Sequence, residues 1–223
     1  DHLRIPRGGV RVGGTGILAE SGMSDSNSRR PERTGPKQTG AKQTGEGRLP
    51  GDPDRETLVE RMIRVDHAGE LGAARIYAGQ LAVLGKHPVG DTIRHMAEQE
   101  KKHLAAFDAL IVERRVRPTL LSPVWNAAGF ALGAATAAMG EKAAMACTVA
   151  VEDVIQEHYA HQSEQLGEDE AELRDLIDEF RADEIEHKET GLAHDAEQTP
   201  GYRVMSEFIK AGSRAAIWLS TRI

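Results

Sequence analysis

A single cysteine, Cys147, stands among 223 residues, so neither an internal disulfide framework nor a thiolate metal site is available. Set in an apolar run, it is expected to pack as a small hydrophobe. Aromatic residues are scarce at 4%, while Ala, Glu and Leu are abundant, a balance that favours helix over sheet. No apolar run suits a membrane-spanning helix. The longest uncharged segment, between Arg117 and Glu141, is rich in Ala and Gly and is interrupted by Pro118 and Pro123. A secretory hydrophobic region is also lacking. Net positive charge is confined to one end. Residues 1–50 carry nine Lys/Arg against five Asp/Glu, and with a total of −7 the remainder stands at −11. An acidic body is a poor binder of nucleic acid, which disfavours DNA or tRNA as substrate or partner.

Residues 1–50 hold ten Gly, four Pro, no Phe, Trp or Tyr, and the near-duplicate PKQTG/AKQTG. Such a composition buries too little apolar surface to offset the entropy of ordering. The expected organisation is a disordered tail over 1–50 and one domain over 51–223. Met23, opening MSDSNSRRPERTG, reads as a native start. The many glycines and the absence of an amphipathic pattern argue against a mitochondrial transit peptide.

Beyond the tail the pattern is helical throughout. A first helix is predicted from Asp54, with Ile63, Glu70, Tyr77 and Leu84 in register, until Gly85 and Pro88 end it. A second runs from about Val89 to Arg115, with Ile93, Met96, Glu100, His103 and Phe107 on one face. The third covers 142–166, and a fourth about 169–197, with Leu173, Ile177, Phe180, Glu184 and His187 inward. Pro200 and Gly201 break the chain before a last helix from Tyr202 to about Ser220.

Helices one and three share a signature: Glu70 is followed by Tyr77-Ala78-Gly79-Gln80, and Glu152 at the same offset by Tyr159-Ala160-His161-Gln162. Helices two and four share another, Glu100-x-x-His103 and Glu184-x-x-His187. The chain is a helical hairpin written twice. Two hairpins face to face predict an all-α, ferritin-like four-helix bundle, with the uncharged segment as crossover and one extra C-terminal helix.

Glu and His three apart on a helix lie on one face and reach the same ion. Two such pairs alone mean little, because a helix glutamate near a histidine is ordinarily a solvated face. The joint pattern carries more: two pairs plus two lone acids at matched offsets, all on apolar stripes. Glu70, Glu100, His103, Glu152, Glu184 and His187 supply four carboxylates and two imidazoles, the set found in di-iron and di-manganese bundles. Four carboxylates against two divalent ions leave a near-neutral buried cluster. His158 and Tyr159 are candidates for moving protons or electrons beside the metals. For Tyr77 a packing role is expected. Asp153, Asp183 and His194 are candidates to back a ligand imidazole, with surface exposure the favoured reading for each. Trp125 and Phe130 in the crossover suit a membrane interface. The last helix adds Phe208, Ile209, Trp218 and Leu219, with Arg203, Lys210, Arg214 and Arg222 as cations for anionic lipid.

The segments VDHAGELGAARIYAGQ, EQEKKHL, RVRPTLLSPVWNAAGFALGAATA, AMACTVAVEDVIQEHY and DEIEHKETGLAHDAE resemble the demethoxyubiquinone hydroxylases of ubiquinone biosynthesis. The resemblance runs from about Leu58 to the C-terminus. It implies a ferritin-like di-iron monooxygenase that hydroxylates the ring of a polyprenylated demethoxyubiquinol with O2. Two iron ions would be held by Glu70 and Glu152 as terminal ligands, Glu100 and Glu184 as bridges, and His103 and His187 one per iron. The quinol arrives from the bilayer. The implied partners are therefore a membrane surface and an unidentified electron donor, with a second copy of the chain or an accessory biosynthetic protein also in view. The expected location is peripheral, on the cytoplasmic face of a bacterial inner membrane or the matrix face of the mitochondrial one. Rival readings are a ferroxidase, another di-iron hydroxylase such as a tRNA-modifying one, and a metal-free structural bundle.

Overall fold

Asp54 caps the first helix. Its carboxylate accepts the Thr57 N–H at 2.8 Å, satisfying one of the donors a helix start leaves open. The structure, a computed structural model, describes residues 53–223; the expectation for 1–50 lies outside the described residues. Six helices follow: α1 (Arg55–Leu84), α2 (Gly90–Glu113), α3 (Ser122–Ala138), α4 (Glu141–Gln165), α5 (Ala171–Ala193) and α6 (Tyr202–Ser220). Short 3-10 turns at Glu168–Glu170 and Ala196–Gln198 flank α5. There is no strand among the described residues. The hairpins α1–α2 and α4–α5 are the two repeats, and together they make the bundle.

Two apolar clusters fill its ends. One gathers Ile63, Phe107, Leu166, Leu173, Ile177 and Phe180; the other gathers Leu84, Ile93, Met96, Ala144 and Met145. Burying one such large side chain stabilises by about 1.5–3 kcal/mol. The exposed ion pairs at the first end, Arg55–Asp169 at 3.2 Å and Arg114–Glu170 at 3.1 Å, contribute about 0–1 kcal/mol each. Apolar packing therefore holds the bundle, and the ion pairs tie down the turn between α4 and α5.

The uncharged crossover is a regular helix, α3, laid along α1. Its proline falls at the N-terminal turn, where a missing N–H costs nothing. Its glycines let the two backbones touch. A Cβ on Gly133 would lie 1.9 Å from the Ile76 carbonyl oxygen, and one on Gly79 2.2 Å from that of Phe130. Gly133→Ala is accordingly expected to lower the unfolding free energy by about 3 kcal/mol, the upper end for overpacking a close contact. Denaturant titration reads this directly; an unchanged midpoint would mean that α3 does not press on α1.

The last helix keeps its predicted bounds and lies along α4. It buries Ile209 but leaves Val204 and Phe208 each 79% exposed. Three of its four cations are partly engaged: Lys210 with Asp153 at 2.7 Å, Arg214 with Glu157 at 3.5 Å, and Arg222 over the Trp218 ring. Trp125, expected at a membrane interface, is half-buried and donates its indole N–H to Ser220 Oγ at 2.9 Å.

Candidate metal centre

The helical period that puts Glu70, Glu152 and both Glu-x-x-His pairs on inward stripes also puts them at mid-bundle, between the two apolar clusters. All six side chains are buried. They form two overlapping groups, Glu70, Glu100, His103 and Glu184, and Glu100, Glu152, Glu184 and His187, each with donor atoms within 4.8 Å of one another. Glu100 and Glu184 belong to both. His103 Nδ1 lies 3.5 Å from Glu70 Oε2 and 3.2 Å from Glu184 Oε1. His187 Nδ1 lies 3.1 Å from Glu100 Oε1 and 3.4 Å from Glu184 Oε2.

These close atoms are not hydrogen-bonded. Eight of them have no partner of acceptable geometry: Glu70 Oε2, both oxygens of Glu100 and of Glu184, Glu152 Oε2, and the Nδ1 atoms of His103 and His187. Each such orphan costs about 1–3 kcal/mol or more in a dry interior. Eight converging on one place fit a cation cluster, which would satisfy all of them. The donors, oxygen and imidazole nitrogen with no thiolate, suit a transition metal of intermediate hardness.

Electrostatics point the same way. Burial, then repulsion from Glu184, holds the Glu100 and Glu152 carboxyls well above the ordinary carboxylate range. Burial also raises Glu184, against the pull of His103. Burial opposes charge on His103, but its contacts with Glu184 and Glu70 prevail and lift it to about 11. His187, dominated by burial, is lowered. Raised carboxyls bind protons in the native state that the unfolded chain has released above about pH 4.5. The metal-free fold must therefore lose stability as pH rises through that window. His103 acts in the same direction, its contribution full below about pH 6.5 and lost towards about 11; His187 opposes both. Chelated protein is expected to melt several degrees lower at pH 8.5 than at pH 6 by scanning calorimetry. A higher melting point at pH 8.5 would contradict the buried cluster.

Outside the six, the structure revises several readings. Tyr159 donates its hydroxyl to Glu70 Oε1, as its placement near the cluster suggested. Tyr77, expected to do no more than pack, makes the mirror-image bond to Glu152 Oε1 at 2.8 Å. Each repeat's tyrosine thus steadies the lone glutamate of the other repeat. Burial, then the facing glutamate, pushes both phenols up, so they stay protonated donors.

Asp183, favoured as a surface residue but also a candidate to back an imidazole, accepts from His103 Nε2 at 3.0 Å. Its side chain is one-third exposed, so the position is both solvent-edged and bonded to a buried imidazole. His187 Nε2 is held by Gln99 Oε1 at 3.2 Å. His158 does not join the cluster. It sits 3.5 Å from the buried carboxylate of Asp66, whose pKa burial raises against the pull of His158. Asp66 also accepts from Gln162 at 2.8 Å, a link that sequence reasoning missed. Asp153 pairs with Lys188 and Lys210, and His194 with Glu141 at the bundle's end. Cys147 behaves as expected, fully buried with its thiol pushed up to about 12 by burial.

Beside the cluster, α1, α3, α4 and α6 enclose an apolar cavity of about 320 Å³, within the range of small-molecule sites. Gly69 and Val151, which directly precede Glu70 and Glu152, lie in its wall, as do Gly72, Trp125, Phe208 and Gly212. Phe208 is also exposed, so the cavity borders the outer surface of α6.

Residues 57–220 match the family described as Ubiquinone biosynthesis protein COQ7. The chain is 55% identical over 179 residues to the 3-demethoxyubiquinol 3-hydroxylase of Rhodospirillum rubrum, covering 80% of this chain and 84% of that one. It is 58% identical over 172 residues to the NADPH-dependent 3-demethoxyubiquinone 3-hydroxylase, mitochondrial, of Dictyostelium discoideum, covering 76% and 79%. Against the protein of that name in Homo sapiens it is 56% identical over 169 residues, covering 74% and 78%. With the matched span running from the start of α1 to the end of α6, the chain belongs to the COQ7 family of ubiquinone biosynthesis proteins.

Proposed function

We propose that this chain is a 3-demethoxyubiquinol hydroxylase that adds a ring hydroxyl in ubiquinone biosynthesis, using two iron ions and O2. The observation that carries the reading is the set of eight orphaned donor atoms beside an apolar cavity. Glu70, Glu100, His103, Glu152, Glu184 and His187 would hold the ions, and Glu100 and Glu184, which belong to both donor groups, would serve both. Bound iron would supply the one-electron chemistry that O2 activation needs and that no side chain provides.

The rest falls to the protein. Tyr77 and Tyr159 hold the terminal carboxylates by donating to one oxygen each, which leaves the other free to face a metal. Apolar packing at both ends of the bundle excludes water. The cavity holds the quinol ring, and its glycines make room for it. Overall, quinol and O2 with two electrons and two protons give the hydroxylated quinol and water. A reduced nicotinamide is the proposed class of donor, as the names of the Dictyostelium and human relatives suggest for those proteins.

Among the described residues no helix is long and apolar enough to cross a membrane. A peripheral association is proposed, with Val204 and Phe208 of α6 and Val124 of α3 exposed and Phe208 in the cavity wall. Substituting Val124→Glu with Val204→Glu should lower flotation with anionic vesicles about tenfold or more, since each apolar side chain is worth about 1.5 kcal/mol. Unchanged flotation would assign this face to a protein partner.

The decisive assay supplies iron-loaded protein with a short-chain demethoxyubiquinol, a nicotinamide reductant and ¹⁸O2. One labelled oxygen atom in the ring product is expected. Iron oxidation with no hydroxylated quinol would support a ferroxidase and overturn the proposal.

A further inference from the structure

Two matched positions of the repeats, just before the paired glutamates, differ in a way that bears on the metals. In each Glu-x-x-His motif, the residue just before the glutamate accepts a hydrogen bond from the histidine of the other motif. Asp183, before Glu184, takes the Nε2–H of His103 at 3.0 Å. Gln99, before Glu100, takes that of His187 at 3.2 Å. The exchange is reciprocal in geometry and unequal in chemistry: one imidazole leans on a carboxylate, the other on a neutral amide.

Both bonds fix the same tautomer, with the proton on Nε2 and the Nδ1 lone pair aimed at the cluster. The Nδ1 atoms are the ones left without partners there. A carboxylate does more than fix the tautomer. It draws on the N–H proton, raises electron density on the opposite nitrogen, and adds a negative charge behind the ligand. An amide oxygen supplies the orientation without the charge. The remaining ligands do not undo this difference. Glu100 and Glu184 are shared, and the lone glutamates Glu70 and Glu152 each accept from one tyrosine.

Resting on the two-metal reading above, we infer that the two positions are inequivalent: the ion at Glu70, Glu100, His103 and Glu184 binds first and tighter, and Asp183 is the positioning residue that makes it so. The ion beside His187 is the later and more labile of the pair.

The test is titration of chelated full-length protein with Co(II) alone, followed by its ligand-field absorption and by calorimetry. Two ions per chain are expected, the first bound about 10–100-fold tighter. Repulsion between like charges also weakens a second ion, so position and variants decide. Anomalous diffraction from crystals loaded with one equivalent should place the ion beside His103. Asp183→Asn keeps an acceptor of the same shape and should weaken the first step about 10–100-fold. Gln99→Glu should strengthen the second step by a similar factor.

A first ion found beside His187 overturns the inference, as does an unchanged first step in Asp183→Asn or an equal loss at both steps. If Asp183→Asn fails to fold, the location of the first ion and the Gln99→Glu titration still decide it. Wild-type protein that takes up no Co(II) would instead remove the two-metal reading itself, a result distinct from two ions bound in the wrong order.

Discussion

Glutamine at position 184 is expected to empty the centre of metal and reduce quinol hydroxylation to background, while the bundle stays folded. Glu184 belongs to both donor groups, and its two oxygens face the two histidines from 3.2 and 3.4 Å. Glu184→Gln preserves shape but removes one charge and turns an N–H2 donor towards one of the ions. Loss of a hydrogen bond behind a ligand already costs about 10–100-fold in metal affinity; loss of a ligand shared by both ions should cost far more. In the chelated state the sign reverses. Burial raises the carboxyl of Glu184, so above about pH 4.5 the wild-type fold carries a proton-uptake cost that the amide avoids. At pH 8 chelated Glu184→Gln should therefore melt no lower than chelated wild type, although it binds no iron. Metal analysis and calorimetry on one preparation check both halves. Iron near the wild-type level in the variant would defeat the ligand assignment.

The same helical arithmetic explains what could be read beforehand. A stripe at helical spacing depends on no partner, so the inward faces of α1, α2, α4 and α5 and their six polar residues were legible from Glu70 to His187. Partners are another matter. Tyr77 and Tyr159 stand two turns from a glutamate on their own helix, yet each hydroxyl reaches the glutamate of the opposite helix. Periodicity names a face, not what meets it. Asp183 sits next to Glu184, about 100° round the helix, and so reads as a solvent position; only the approach of α2 turns it into the acceptor for His103. The crossover was legible only as an uncharged connection. Glycine inside a helix is unfavourable in isolation, but Gly79 on α1 and Gly133 on α3 are what let the two helices lie together. His158 looked like a neighbour of the buried cluster because Tyr159 is one; a step of one residue moved it to Asp66 instead.

Filling the cavity should separate substrate turnover from metal binding. Gly72 lines it from α1, and a Cβ built there meets nothing within 4 Å. In Gly72→Leu the side chain enters space that the fold leaves open, rather than pressing on a neighbouring backbone as it would at Gly133. A helix-interior glycine costs about 0.5–1 kcal/mol relative to alanine, so the variant should fold at least as well as wild type. It should also bind iron normally, because the six proposed ligand side chains occupy the inward stripe and not the cavity wall. What it takes away is room. The cavity is about 320 Å³, and a leucine side chain in it displaces a ring that must lie close to the metals for an oxygen atom to reach it. Misplacement by about 1 Å is enough to cost about 100-fold in rate, so turnover of a short-chain quinol should fall by at least that factor. Gly72→Ala, with a single methyl, should fall between the two. Full activity in Gly72→Leu with normal iron would place the quinol elsewhere, and the apolar space between α1, α3, α4 and α6 would need another occupant.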